Sequence, residues 1–165
     1  MILRVAGVAG IGACLAALVW YLGSPLFIRT SLVEPLPTTV ALASTATSAA
    51  FVPPTEPITL ASGELGRVDA LHNGTGGVSL VRTGQITVLR FEGVAITNAP
   101  DVHVYLSRET GGKWTAATSV YLGPLKATNG SFNYTVPGDV DLGSIGSAVV
   151  WCRQFSVLVT WADLR

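Results

Sequence analysis

The feature that most restricts what this chain can fold into is a period of two. From Ile58 onward, short segments alternate apolar and polar residues: GGVSLVR (76–82), QITVLRF (85–91), DVHVYLS (101–107), SFNYTV (131–136) and AVVWCRQFSVLVTW (148–161). Successive side chains of a strand point to opposite faces, so each segment has one face to bury. Turn residues separate them in NAPD (98–101), ETGGK (109–113), KATNG (126–130) and PGDVDLGSIG (137–146). RTG (82–84) suits a tight hairpin turn between the first two segments. No stretch here has a helical period. Strands at about ten-residue spacing predict an all-β domain over 58–165, an antiparallel β-sandwich or partly closed barrel.

Composition bears on what precedes that domain. Charged residues are 12% of the chain, against roughly 25% in soluble domains. The apolar excess lies in VAGVAGIGACLAALVWYLGSPLFI, Val5 to Ile28, 24 residues without a charge. That length spans a ~30 Å bilayer core at about 1.5 Å per residue. Arg4 and Arg29 flank it, and Trp20 and Tyr21 sit near its outer end as interfacial anchors. No Ala-x-Ala-like cleavage site follows, and a lipoprotein cut at Cys14 would divide the apolar run. Residues 1–29 are therefore expected to be a single transmembrane anchor, with the rest of the chain outside the cytoplasm. Residues 30–57 are rich in Thr, Ser, Ala and Pro and predict a disordered or extended stalk. Net charge is +0 and no Lys/Arg run occurs, which excludes the electrostatic footprint of a nucleic-acid binder.

The domain's candidate reactive groups are Cys152, His72 and His103. If residues 148–161 form one strand, Val149, Trp151, Phe155, Val157, Val159 and Trp161 share the core face, and Cys152 points the other way into a mixed environment. Arg153 lies on the face opposite the thiol, poorly placed to lower its pKa. With Cys14 in the bilayer, Cys152 has no disulfide partner. An unpaired cysteine is either a packed small hydrophobe or a redox thiol or cofactor ligand, and both readings stand. Two imidazoles and a thiolate are a copper set. Electron-transfer copper loops, however, place a His and often a Met shortly after the Cys, whereas no His follows Cys152 and the sole Met is Met1. Copper is not expected. His103 shares a strand face with Asp101 and Tyr105; His72 lies in a loop. Asp139 and Asp141 in GDVDLG form too short a motif for calcium, and Asn73, Asn129 and Asn133 open N-x-[ST] sequons. There is no G-x-S-x-G, H-E-x-x-H or phosphate loop, hence no enzyme motif.

Three stretches together resemble a known family. LHNGTGGVSLVR, NAPDVHVYLS, and YLGPLKATNGSFNYTVPGDVDLGSIGSAVVWCRQFSVLVTWADL follow, in order, the motifs of the DM13 domain over about residues 62–164. Tyr134–Pro137, Trp151–Cys152 and Ala162–Leu164 are the most specific part. TGGV replaces the usual Ser-Gly-Thr, and Thr160–Trp161 stand where Phe-Gly is common. The resemblance implies a β-sandwich-like extracytoplasmic domain with a redox or electron-transfer role. It implies that Cys152 acts as a bare thiol or ligates a prosthetic group such as haem, with Trp151 and Phe155 shaping the strand around it. The partners expected are the membrane, through the N-terminal helix, and a redox or protein partner. A rival reading is a non-catalytic adhesion or interaction module on a membrane stalk, with Cys152 merely packed.

Overall fold

A computed structural model describes residues 10–21, 29–37 and 56–165. Among the described residues nine strands follow in chain order: β1 (Ser31–Val33), β2 (Ile58–Glu64), β3 (Gly74–Thr83), β4 (Ile86–Ile96), β5 (Val102–Ser107), β6 (Ser119–Pro124), β7 (Asn129–Thr135), β8 (Ser147–Cys152) and β9 (Val157–Asp163). They form two sheets, a five-stranded one ordered β1-β7-β4-β3-β2 and a four-stranded one ordered β6-β5-β8-β9. All pairings are antiparallel except β1 with β7. Val78, Leu80, Leu89, Phe91 and Phe132 from the first sheet share one core with Val104, Leu106, Val150 and Val159 from the second. Phe91 and Phe132 stack at 5.1 Å between centroids. This is the expected sandwich. It is not a closed barrel, although β2 and the chain end after β9 exchange hydrogen bonds between Ser62 and Arg165.

The strands anticipated from alternation are present with shifted bounds. The β3–β4 turn is Gly84–Gln85, after the paired Thr83 and Ile86, and Gly84 takes φ +60, as a hairpin loop that must match strand twist requires. β1, β2 and β6 were not anticipated. The segment 148–161 is not one strand. It is a hairpin, with residues 153–156 turning back and Ser156 at φ +53.

Of the two N-terminal expectations, the anchor lies in large part outside the described residues and the stalk is corrected at its start. Among the described residues no helix is long and apolar enough to cross a membrane. Residues 10–21 are helical. The rest of the expected anchor, residues 1–9 and 22–28, lies outside the described residues. The expected stalk over 30–57 does not begin as a stalk. Ser31, Leu32 and Val33 pair with Asn129, Gly130 and Ser131. Residues 38–55 lie outside the described residues.

Polar residues, which alternation cannot score, hold β1 in place. Thr30 and Thr128 exchange side-chain and backbone hydrogen bonds. The Glu34 carboxylate accepts from the Asn133 backbone N–H at 2.9 Å and from Lys126 Nζ at 2.9 and 3.2 Å. Buried Arg90 donates to the Glu34 carbonyl at 2.7 Å, and Asn133 Nδ2 to the Pro35 carbonyl at 2.8 Å. Gly130 sits at φ +111 with the Leu32 carbonyl against it, so any Cβ there would overlap that oxygen. Asn133, which opens a sequon, is itself buried in this arrangement.

The Asn133 N–H foremost lowers the Glu34 pKa; burial opposes it, and Lys126 lowers it further. A carboxyl with a depressed folded-state pKa stabilises docking above its unfolded value and loses that contribution as pH falls through the folded one. Glu34→Ala is expected to cost about 1 kcal/mol after allowance for partial exposure. The expected readout is faster amide exchange along β7, Asn133 first, with wild type approaching the variant in acid.

Candidate functional site

The site is built on the β5–β8 pair. Val102 faces Cys152, His103 faces Trp151, Val104 faces Val150 and Tyr105 faces Val149. Because faces alternate, Val102, Val104, Val150 and Cys152 go inward together, all members of the core. His103, Tyr105, Val149 and Trp151 go outward. The expectation that Val149 and Trp151 pack the core while Cys152 points away is reversed. Its physical reason is that both faces of β8 are covered: Val149 is as fully buried as Val150, so apolarity does not distinguish them. The hairpin also breaks the assumed alternation past Cys152. Val157 pairs with Cys152, and Trp161 with Val149. Phe155 is 53% exposed in the turn and does not shape the surroundings of the thiol.

Cys152 is fully buried. Its thiol donates to the Pro100 carbonyl at 2.9 Å, satisfying the one polar group it brings into the core. None of the cavities described is lined by Cys152. The residues therefore do not fit a prosthetic group such as haem ligated at this sulfur, which needs an open coordination path and a cavity beside it. His103 is on the opposite face of the sheet. His72 lies apart on the loop before β3, with Nδ1 2.8 Å from Asp69 Oδ2. Among the described residues no group of three or more His, Cys, Asp or Glu could hold a metal ion, Asp139 and Asp141 included. Asp141 instead accepts from the Gly143 N–H at the start of a short 3-10 turn.

What the outward face does assemble is a run of rings. His103 and Tyr121 lie 5.6 Å apart between centroids, Tyr121 and Tyr105 5.2 Å, Tyr105 and Trp114 4.6 Å, and Trp114 and Trp151 5.0 Å. Tyr105 and His103 come from β5, Tyr121 from β6 and Trp151 from β8. Trp114 comes from the loop after β5, which folds over the face. Ser107 Oγ donates to the Lys113 carbonyl at 2.9 Å, and the Gly111 N–H donates to Asp163 at 2.7 Å, fixing that loop. Gly112 at φ +74 passes against Leu158 and Trp161, where a side chain would collide. Arg153 lies over the rings of Tyr121 and Tyr105, at 4.5 and 5.7 Å, within cation–π range. Its Nε donates to Tyr105 Oη at 2.7 Å, and that bond foremost raises the guanidinium pKa. Alternation had set Arg153 on the face opposite the thiol, and it lies there; Trp114 and Tyr121 carried no periodic signal in the sequence, and only the structure gathers them.

His103 is the one candidate on this face. Its Nδ1 is 2.9 Å from Tyr121 Oη and its Nε2 2.7 Å from Asp101 Oδ1. Its sharing of a face with Asp101 and Tyr105 holds.

Two outcomes check these placements. In a Cys14→Ala background, Cys152 is expected to resist thiol reagents until the protein unfolds, and Cys152→Ala to destabilise by about 1–2 kcal/mol. The His72 ring and the Leu71 and His72 amides pull the Asp69 pKa down to about 2. The Leu71 and His72 amide shifts should therefore titrate with a midpoint about 2, the loop holding together above the ordinary carboxyl range and loosening only as pH falls through that point.

Searches of curated proteins and of solved structures found no match. The family model described as Electron transfer DM13 matches residues 67–164, spanning β3 to β9 and every residue of the aromatic face. This chain belongs to the DM13 family.

Proposed function

We propose that this DM13 domain exchanges electrons through the outward aromatic face of its four-stranded sheet, with Cys152 as a packing residue behind it. The observation that carries the reading is the unbroken run from His103 to Trp151, each ring within 6 Å of the next. Oxidisable Tyr and Trp side chains at such spacing let an electron vacancy pass from ring to ring. Tyr121 is 46% exposed, so a docked redox partner meets the run directly. A thiol with no solvent path lacks the access that redox cysteines need. We place the domain outside the cytoplasm, held to a membrane by the uncharged stretch of Val5 to Ile28. In support, the described part of that stretch is helical with Ile11, Leu15, Leu18 and Val19 exposed. With β1 docked from Ser31, such an anchor would keep the domain close to the bilayer. The sealed thiol also favours a second reading, a non-catalytic interaction module.

One-electron photo-oxidation of the full chain by ruthenium(III) tris-bipyridine, followed by transient absorption, separates the two. The electron-transfer reading predicts tyrosyl and tryptophanyl radical bands that persist in Cys152→Ala. It predicts rates lowered about tenfold, some 1.4 kcal/mol in barrier, when Trp114 and Trp151 are both changed to Leu. Bands lost in Cys152→Ala, or indifferent to the tryptophans, would refute it and favour the thiol or the interaction module.

A further inference from the structure

The aromatic face contains a hydrogen-bonded row that a simple stack of rings does not require. We infer that Tyr121, His103 and Asp101 form a proton-coupled redox site, in which Tyr121 gives up the electron and His103 takes its proton. The inference rests on the reading that this face exchanges electrons and adds where a vacancy comes to rest.

The protonation pattern follows from donor and acceptor chemistry. An ionised Asp101 carboxylate can only accept, so His103 Nε2, at 2.7 Å, carries the hydrogen. In the neutral imidazole, Nδ1 is then left as acceptor. Tyr121 Oη, at 2.9 Å, donates to it. The row reads Tyr121 O–H to His103 Nδ1, then His103 Nε2–H to Asp101. Asp101 holds its place at φ +56, a left-handed conformation that costs a non-glycine residue stability and recurs at functional sites. In it the Asp101 carbonyl accepts from the Arg153 N–H at 2.9 Å while the carboxylate reaches back to His103. His103 is 8% exposed, so the ring is held between its two partners. Asp101 and His103 border a cleft of about 270 Å³, also lined by Thr30, Asn98 and Thr128, and the Asp101 side chain is half exposed at the acid end of the row.

Arg153 adds to the drive for proton transfer. Its guanidinium lies 4.5 Å from the Tyr121 ring centroid. Removing an electron alone would leave a phenol radical cation beside that like charge, an arrangement that Coulomb repulsion disfavours. Moving the phenolic proton to Nδ1 in the same step leaves Tyr121 neutral. The new positive charge sits on His103, next to the Asp101 carboxylate. The balance is one electron from Tyr121 to a metal-centred one-electron oxidant, and one proton from Oη to Nδ1. The O–H bond breaks and the N–H bond forms. The products are a neutral tyrosyl radical, a His103 imidazolium paired with Asp101, and the reduced oxidant. Re-reduction reverses each transfer. The charged and titratable groups facing the site are Asp101, His103, Tyr105, Tyr121 and Arg153.

The test uses the full chain with photogenerated ruthenium(III) tris-bipyridine in H2O and D2O. Tyr121→Phe keeps the ring contacts and identifies the Tyr121 radical by difference. Asp101→Asn keeps a residue suited to positive φ and removes the charge that stabilises the imidazolium. The inference predicts a solvent isotope effect clearly above unity for the Tyr121 radical in wild type. It predicts that radical to form about tenfold more slowly in Asp101→Asn, while the Trp114 and Trp151 bands are unchanged. A Tyr121 radical with no isotope effect, or one indifferent to Asp101→Asn, would overturn the inference and leave the electron-exchanging face intact. Absence of Tyr and Trp radicals throughout would overturn both.

Discussion

The register between β5 and β8 is the constraint on which the rest depends. Strand side chains alternate strictly, so a slip of a single residue would exchange the two faces of the pair. In the register Val102↔Cys152 and His103↔Trp151, the thiol joins the sandwich core and the imidazole joins the aromatic face. The register is determined on the inside by Val104, Leu106, Ala148 and Val150, all fully buried. On the outside the loop carrying Trp114 covers Tyr105 and Trp151. Two buried faces give this sheet two separate chemistries, an apolar interior that excludes charge and an outer layer rich in polarisable rings and polar tips.

That division changes what a single cysteine can mean in this fold. Membership of the DM13 family covers the strands from β3 to β9, and an electron-transfer role follows at that level. The buried sulfur, bonded to Pro100, contributes packing and a satisfied polar group in this chain. Tyr121, which has both exposure and redox chemistry, lies on the reverse side of the sheet on β6, two strands from β8. Arg153 links the two, since its backbone follows Cys152 directly while its guanidinium covers Tyr121 and Tyr105.

Much of the sandwich was legible in the sequence. The segments that became β3, β4, β5 and β7 alternate cleanly, and glycine and proline mark their ends. β8 and β9 were legible as strand but not as two strands, because the intervening Arg153–Ser156 turn contains no Gly or Pro and Phe155 continues the apolar rhythm. β1 and β6 were illegible for another reason. β1 is three residues long and held mainly by polar contacts through Glu34, Thr30 and Arg90, and such contacts leave no period, while β6 packs only the partly buried Val120 and Leu122 on the core. Of the candidate residues, His103 was correctly set beside Asp101 and Tyr105, since only local alternation was needed. Tyr121 and Trp114 come from segments distant in sequence, and no spacing rule could unite them. The face of Cys152 could not be read from alternation alone in a strand apolar on both sides.

The most direct measurement of the facing claim is a set of proton–proton NOEs on the folded full chain, with the His103 imidazole nitrogens assigned alongside. Same-face cross-strand neighbours lie within about 4.5–5.5 Å between Cβ atoms. The account predicts NOEs from the Cys152 β-protons to the methyls of Val102 and Val157, NOEs between the His103 and Tyr121 rings, and a proton on His103 Nε2. NOEs from the Cys152 β-protons to the rings of His103, Tyr105 or Trp114 would contradict it, because they would put thiol and imidazole on one face.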